Sequence, residues 1–262
     1  MVRLLHLTDT HLVATEDDPS APPRSLAGAV LRLQGRTTRQ TLEAVLAAVT
    51  AAGVVPDVVL HTGDVVDDGR VEGCVVAHEM LAALGATVLA VPGNHDEAHV
   101  LAEVFGHDPV PVRWLDVGGW RIVALDTSVA GQGHGGLTAT GLEALDACLA
   151  SAPGPVLIGL HHPPRSVCPD PYCQIEQAAE LLAIVRRHPG VRAIVSGHLH
   201  VTADHEHEGV AFLLSPSTAL QLRHEHPLAE NNVAPTPVGA RVVDLHDDGT
   251  VTTEVIWTSV SA

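Results

Sequence analysis

Acidic, amide and imidazole side chains are concentrated in five short polar stretches of this chain. Carboxylate and imidazole groups bind first-row divalent ions, and imidazole also exchanges protons near neutral pH. No cysteine lies in these stretches, which argues against a structural zinc site. The donors are too many for one ion, and they suit two neighbouring ions that share one carboxylate. The stretches are "TDTH" (Asp9, His11), "TGDVVDDG" (Asp64, Asp67), "PGNHD" (Asn94, His95), "HHPP" (His161, His162) and "SGHLH" (His198, His200).

Each polar stretch follows an apolar run that is short enough for a buried strand. The runs cover residues 2–8, 57–61, 86–91, 156–160 and 192–195, and helical patterns cover residues 37–52, 70–84, 138–150 and 174–187. Strands that alternate with helices predict parallel βαβ units and a protein of the α/β class. Ligands bind at the carboxyl ends of strands in such sheets, so we expect the five stretches to converge on one edge of one sheet.

Two helical patterns carry more specific expectations. Thr138 is suited to be the N-cap of the helix at residues 138–150. In the helix at residues 70–84, we expect Val71, Val75 and Leu84 to face the interior.

The last quarter of the chain has a different pattern. Apolar runs at residues 210–214, 240–245 and 251–257 are joined by short turns, and "HDDGT" at residues 246–250 is typical of a hairpin. Residues 205–262 are therefore expected to be mainly antiparallel and to complete a second sheet, which makes the class mixed α/β or α+β. No linker-like segment or repeat interrupts the sequence, so we expect a single domain over residues 1–262.

Composition limits the partners. The formal net charge is −17, and the chain contains no Lys, so a nucleic-acid-binding surface is disfavoured. No signal peptide and no run long enough for a membrane span is visible, which predicts a cytoplasmic protein. Reduced cysteines are the default there, although Cys168 and Cys173 flank "PDPY" and could pair. The polar segment at residues 223–232 could border the site or lie at the contact of a homodimer.

In chain order, the five stretches read D-x-H, G-D-x-x-D, G-N-H-D, a strand-end H, and G-H-x-H. This set resembles the motifs of the calcineurin-like metallophosphoesterases and extends from residue 9 to residue 200. "HHPP", "SGHLH", "LLSPSTALQ" and the ending "DLHDDGTVTTEV" are similar to the bacterial class III cyclic-nucleotide phosphodiesterases. The resemblance implies a two-sheet β-sandwich flanked by helices. It also implies a phosphodiesterase with two metal ions that converts 3′,5′-cyclic AMP to 5′-AMP by attack of a metal-bridging hydroxide.

The resemblance also implies residue roles. The ions would be Fe, Mn or Zn, including mixed Fe/Mn or Fe/Zn pairs. Asp64 would bridge them, and His95, positioned by Asp67, would protonate the leaving oxygen. The first ion would be held by Asp9, His11 and His200, and the second by Asn94, His161 and His198. Asn94, His95, His134 and His200 are candidate substrate contacts.

Other expectations stay open at this point. Adjacent residues on a strand point in opposite directions, so only one of His161 and His162 is expected to face the ions. Asp96 is expected to cap a helix that begins near Glu97. Substrate choice would depend on residues 163–173, on His134 and on residues 223–232. Alternative substrates are 2′,3′-cyclic nucleotides, glycerophosphodiesters and phosphomonoesters, and a non-catalytic scaffold on the same fold is a further alternative.

Overall fold

The structure is a computed structural model that describes residues 1–14, 35–165, 170–222, 233–234 and 237–259. These residues form two large β-sheets, a two-stranded ribbon, five α-helices and one 3₁₀ turn.

The first sheet contains five strands. Its core is parallel, because β1 pairs with β2 and β2 pairs with β3 in the same direction. The C-terminal strands β12 and β13 extend this sheet on the other side of β1 as an antiparallel hairpin. The order is β13 (Val251–Thr258), β12 (Val238–Leu245), β1 (Val2–Leu7), β2 (Val58–His61) and β3 (Thr87–Ala90).

The second sheet contains six strands. Its four central strands are parallel, and an antiparallel strand lies at each edge. The order is β4 (Val112–Val117), β5 (Trp120–Leu125), β6 (Val156–Leu160), β7 (Val191–Ser196), β9 (Val210–Leu214) and β8 (Ala203–His207). The separate ribbon pairs β10 (Gln221–Leu222) with β11 (Val233–Ala234).

The helices lie on the outer faces of the sheets. Buried side chains of α4 and α5 pack on the second sheet, and buried side chains of α1 pack on the first. Apolar residues of both sheets, such as Leu4, Leu60, Leu157 and Val195, form one shared core between them. The expected two-sheet sandwich flanked by helices is therefore confirmed. The helices are α1 (Thr38–Ala51), α2 (Val71–Ala82), α3 (Ala98–Val104), α4 (Ala139–Ala150) and α5 (Ala178–Arg187).

Three helices can be compared with the expectations from the sequence. Thr138 caps α4 as expected, because its hydroxyl accepts a hydrogen bond from the Gly141 N–H. The expectation for α2 was wrong for Val71 and Val75, which are exposed while the smaller Cys74 and Ala77 face inward. It was right for Leu84, which follows the helix and packs against the core. Helix α5 begins at Ala178 rather than at residue 174, because the preceding segment forms an extended bridge between Ile175 and Gly135.

The C-terminal part differs from the expectation in its sheet membership. β8 and β9 do extend the second sheet, but β12 and β13 pair with the first sheet, and β9 is parallel to β7. Strand β4 was missed by the sequence reasoning. It forms a hairpin with β5 through Gly118 and Gly119, both of which have positive φ as a tight hairpin turn requires.

No helix within the described residues has the length and apolar character needed to cross a bilayer. The single-domain organisation, the cytoplasmic location, the homodimer and the absence of a nucleic-acid partner stay predictions.

Candidate metal centre

The five polar stretches meet at one end of the sandwich. Three of them follow β1, β2 and β3 of the first sheet, and two follow β6 and β7 of the second sheet. The expectation of one edge of one sheet was therefore wrong. The carboxyl ends of parallel strands from both sheets contribute, and the site lies where the two edges adjoin. Of the seven expected ligands, six are buried and Asn94 is half-buried.

Four buried side chains form the first group, consisting of Asp9, His11, Asp64 and His200. Each offers one ligand atom, and these atoms lie within 4.8 Å of one another. The Nε2 atom of His200 is 3.3 Å from Oδ1 of Asp9, and the Nε2 atom of His11 is 3.6 Å from Oδ2 of Asp64. The set of two carboxylates and two imidazoles suits a first-row divalent ion.

Hydrogen bonds show which nitrogens of this group are available. Nδ1 of His200 is 3.0 Å from the Leu220 carbonyl oxygen, which can only accept, so Nδ1 carries the proton. Nδ1 of His11 lies 3.0 Å from the Asp67 carboxylate and donates to it in the same way. The two Nε2 atoms therefore face each other, at 3.0 Å. This geometry requires a proton or a cation between them, and the residues thus fit a metal ion.

The second group consists of His161, His162 and His198, with Asn94 beside them. His161 donates through Nδ1 to the Thr62 carbonyl oxygen at 2.7 Å, and its Nε2 lies 3.2 Å from Asn94 Oδ1. His198 donates through Nε2 to the Tyr172 carbonyl oxygen at 2.9 Å. Its Nδ1 is buried and has no hydrogen-bond partner among the described residues. A buried imidazole nitrogen with a free lone pair is the donor that a metal ion would use.

Electrostatics agree with this reading of His198. Burial, together with the neighbouring His161, lowers the pKa of His198 to about 3. The imidazole is therefore neutral, as a ligand must be.

His162 departs from the expectation that one of the two adjacent histidines would turn away. Both rings contact His198, with centroid distances of 5.0 Å for His161 and 4.5 Å for His162. The alternation argument failed because β6 ends at Leu160, so neither histidine belongs to the strand. His162 is held by a hydrogen bond between its Nδ1 and the Thr127 hydroxyl at 2.9 Å.

Asp64 lies between the two groups. Its Oδ2 atom is 3.6 Å from His11 Nε2 and 3.4 Å from His161 Nε2, and its Oδ1 accepts the His95 backbone N–H at 2.9 Å. Burial opposes ionisation, but His161 and His11 lower the pKa of the Asp64 carboxyl well below its ordinary value. The carboxylate is therefore charged and faces both groups at once.

His95 lies beside the first group and is its most accessible neighbour, with 35% of its side chain exposed. Its Nδ1 is 3.3 Å from Oδ1 of Asp67, the same oxygen that accepts from His11. Burial lowers the pKa of His95, but the Asp67 hydrogen bond and the Asp64 charge outweigh it and raise the pKa to about 10. The expected contact between Asp67 and His95 is therefore present, and the same carboxylate oxygen also accepts the hydrogen bond from His11.

Asp96 has a different place from the one expected. Helix α3 has Glu97 as its N-cap, without a side-chain capping bond. The Asp96 carboxylate instead accepts hydrogen bonds from the backbone N–H groups of Val65, Val66 and Gly93 at 3.1, 2.9 and 2.9 Å. Asp96 thus ties the loop after β2 to the loop after β3, and both loops carry site residues.

The expected outer residues are only partly described. His134 contacts Glu176 at 3.2 Å and belongs to neither group of side chains. Residues 223–232 and residues 166–169, including Cys168, lie outside the described residues. Tyr172, which sequence reasoning missed, contacts the second group through its ring and its carbonyl oxygen.

The backbone of the site is unusual. Six non-glycine residues in the described part of the chain have positive φ, and five of them are expected ligands: Asp9, His11, Asp64, His198 and His200. Asp and His enter this left-handed region more readily than most residues, but the conformation still has a cost. Such strain concentrates at functional sites, where the surrounding structure holds it in place.

Comparison with known proteins gives a consistent result. The family model described as calcineurin-like phosphoesterase matches residues 2–202. A 3′,5′-cyclic-nucleotide phosphodiesterase from Nostoc is 33% identical, over 97% of this chain and 91% of the relative. The 3′,5′-cyclic adenosine monophosphate phosphodiesterase CpdA from Escherichia coli is 31% identical, over 97% of this chain and 89% of the relative. A crystal structure of a dimetal phosphatase from Danio rerio shares the fold, with a TM-score of 0.66, 17% identity, and coverage of 98% of this chain and 99% of that one.

Proposed function

Because the chain belongs to the calcineurin-like phosphoesterase family, we propose that it hydrolyses 3′,5′-cyclic nucleotides, with cyclic AMP as substrate and 5′-AMP as product. The choice of substrate is supported by curated relatives that match 97% of the chain and are named for this activity. The observation that carries the proposal is the pair of buried donor groups that adjoin at Asp64.

Two divalent ions complete the site in this proposal. Asp9, His11 and His200 would hold one, Asn94, His161 and His198 would hold the other, and the Asp64 carboxylate would be shared between them. Oxygen and imidazole donors without thiolates suit Fe, Mn or Zn, including mixed pairs. When bound, the ions polarise the phosphate and lower the pKa of the water that attacks phosphorus.

The charge of these ligands favours an anionic substrate. Only Asp9 and Asp64 contribute carboxylates, while Asn94 contributes a neutral amide oxygen. Two divalent ions therefore leave the centre net positive, even though the chain has a formal net charge of −17. This local positive charge attracts a phosphodiester to a protein that would otherwise repel it.

His95 supplies the proton for the leaving group in this proposal. The 3′-oxygen of ribose leaves poorly as an alkoxide, so it needs a donor in the transition state. His95 is partly exposed, and the Asp67 carboxylate beside Nδ1 favours its protonated form by raising its pKa. Asp67 orients the ring through the contact at Nδ1, which leaves Nε2 to face the substrate.

A panel of substrates tests the proposed activity. The metal-loaded protein is assayed with cyclic AMP, a 2′,3′-cyclic nucleotide, bis(nitrophenyl) phosphate and a phosphomonoester. We expect the highest kcat/KM for cyclic AMP and 5′-AMP as the product. A higher kcat/KM for one of the other esters would replace the proposed substrate while keeping the metal chemistry. No turnover of any ester by a fully loaded protein would favour the scaffold alternative.

A further inference from the structure

Tyr172 is the single tyrosine of the chain, and its backbone is fixed beside the second group. It lies in the 3₁₀ turn Pro171–Cys173, and its N–H donates to Asp170 Oδ1 at 3.0 Å. The next residue, Cys173, is fully buried against Leu199 and Leu214. The Tyr172 carbonyl oxygen accepts the Nε2–H of His198. The turn and the predicted ligand thus hold each other in place.

The side chain of Tyr172 is held by two contacts. One is with the His198 ring, with 4.6 Å between the ring centroids and 33° between the planes. The other is with Gly133, which the ring edge approaches so closely that a Cβ there would come within 2.3 Å of Cε2. Burial raises the pKa of the Tyr172 hydroxyl, and the Asp64 carboxylate raises it further.

The loop that packs on the ring edge is itself anchored. The Gly135 N–H donates to the Gln174 carbonyl oxygen at 2.9 Å, and the Glu176 N–H donates to the Gly135 carbonyl oxygen at 3.0 Å. These two hydrogen bonds join the loop to the segment that carries Tyr172. The orientation of the ring is therefore set before any ligand arrives.

Tyr172 is nevertheless 43% exposed. The other large apolar side chains that are exposed in the described ranges are Met1, Val55, Val71, Val75, Val110, Trp114 and Trp257. Tyr172 differs from them in that it contacts an expected ligand, His198, through both its ring and its carbonyl oxygen. A rigid aromatic face next to a phosphate site is suited to a flat organic group.

We propose that Tyr172 is a specificity-determining residue whose exposed ring stacks on the base of the bound nucleotide. The inference rests on the proposed function, because it places the phosphate at the two ions. In a nucleotide one ribose separates the phosphate from the base. A residue that contacts an expected ligand without being a ligand itself lies at a suitable distance from the phosphate to reach the base. The contacts with His198 and Gly133 hold the ring in one orientation, which lowers the entropic cost of binding.

Binding of two related ligands to metal-loaded protein tests the inference without turnover. Calorimetry measures the affinities for 5′-AMP and for ribose 5-phosphate, which share the phosphate and the sugar but differ in the base. We expect tighter binding of 5′-AMP. Tyr172→Leu should weaken 5′-AMP about tenfold, since base stacking on an aromatic side chain is worth this order of magnitude, and should leave ribose 5-phosphate within about twofold. Tyr172→Phe, the matched control, keeps the ring and should retain the preference for 5′-AMP.

Two results would contradict stacking of the base on Tyr172. Equal weakening of both ligands by Tyr172→Leu would mean that Tyr172 acts on the phosphate or the ions. No preference for 5′-AMP in the unmodified protein would also overturn the inference. Metal content, measured on every variant, shows whether the centre is intact. Failure of the proposed function is seen separately, as absent cyclic AMP turnover by the unmodified protein.

A spectroscopic measurement provides a second readout. Because the chain has one tyrosine, labelling with 3-fluorotyrosine introduces a single ¹⁹F signal. We expect 5′-AMP to shift this signal clearly more than ribose 5-phosphate does. Equal shifts with both ligands would contradict stacking by the base.

Discussion

The two donor groups of the centre differ in charge and in access. The first contains two carboxylates, Asp9 and Asp64, and all of its members are buried. The second consists of imidazoles, with half-buried Asn94 beside them, and it contacts the partly exposed Tyr172. The first group is thus suited to hold a cation, while the second is suited to hold a cation and leave room for an anion.

The groups also differ in how their geometry is maintained. All four members of the first group have positive φ. In the second group, only His198 does. The second group's two expected ligands, His161 and His198, are oriented by the backbone carbonyl oxygens of Thr62 and Tyr172. In the first group, His11 depends on a side chain, Asp67. A side-chain substitution at Asp67 can therefore disturb the orientation of His11, whereas no side-chain substitution removes the backbone acceptors of His161 and His198.

We expect the largest effect from a substitution that disables metal binding by both groups. Asp64→Ala deletes the one carboxylate that faces His11 and His161, so we expect both ions to be lost and cyclic AMP turnover to fall to background. His11→Ala, the comparison variant, should lower mainly the occupancy of one site. Metal analysis of both purified variants measures this. Two ions per chain and a normal rate in Asp64→Ala would show that Asp64 does not bridge.

A smaller effect separates chemistry from metal binding. His95→Ala should slow cyclic AMP hydrolysis by about 10²–10⁴-fold, because the ribose oxygen needs a proton. It should slow bis(nitrophenyl) phosphate hydrolysis much less, since nitrophenolate leaves unprotonated. Both ions should remain bound. Equal losses on the two substrates would assign His95 to phosphate binding, and lost metal would place it among the ligands.

Asp67→Asn sharpens the contrast between the groups. Asp67 orients His11 as well as His95, so the substitution should weaken binding of the first ion by about 10- to 100-fold. Binding of the second ion should stay unchanged, because its imidazoles use backbone acceptors. Metal titration followed by calorimetry resolves the two affinities. Weakening of both sites to the same extent would refute the distinction.

The smallest effect uses a strained residue outside the centre as a reference. Glu208 is the sixth non-glycine residue with positive φ in the described ranges, and it precedes Gly209 in the turn between β8 and β9. Glu208→Asn should stabilise the fold by about 0.5–1 kcal/mol, since Asn–Gly is favoured in this type of turn. Thermal unfolding should show a higher Tm with metal affinity unchanged. A lower Tm would show that other contacts of the Glu208 side chain outweigh the strain of its backbone.

Much of the fold could be predicted because local patterns determined it. The alternation of apolar runs with amphipathic segments located β1–β3, β6, β7 and four helices. Strand β8 was missed because its sequence "ADHEH" carries few apolar residues, and the strand lies at a sheet edge. The inward face of α2 was misjudged because small residues pack closer to the sheet there than valines would. Sheet membership of β12 depends on contacts across the whole chain, which no local pattern reports.

The site was predictable to the same degree. Polar residues after strands identified the side chains that the structure brings together. The contribution of His162 depended on where β6 ends, and element boundaries are the least certain part of a sequence-based prediction. Tyr172 was missed because its contact with His198 joins segments that are distant in the sequence. A lone tyrosine in a loop gives no spacing signal, although residues 163–173 were expected to influence the choice of substrate.

The pairing of β1 with β12 has a consequence for the order of events during synthesis. Val2 pairs with Leu245, so the first strand waits for nearly the whole chain to leave the ribosome before its antiparallel neighbour is available. Until then one edge of β1 is open, next to the loop that carries Asp9 and His11. Contacts over such a sequence separation slow folding and leave an exposed edge that can pair with other chains. Translation that stalls before residue 238 would therefore yield an aggregation-prone nascent chain, even though every residue expected to bind metal has already been made.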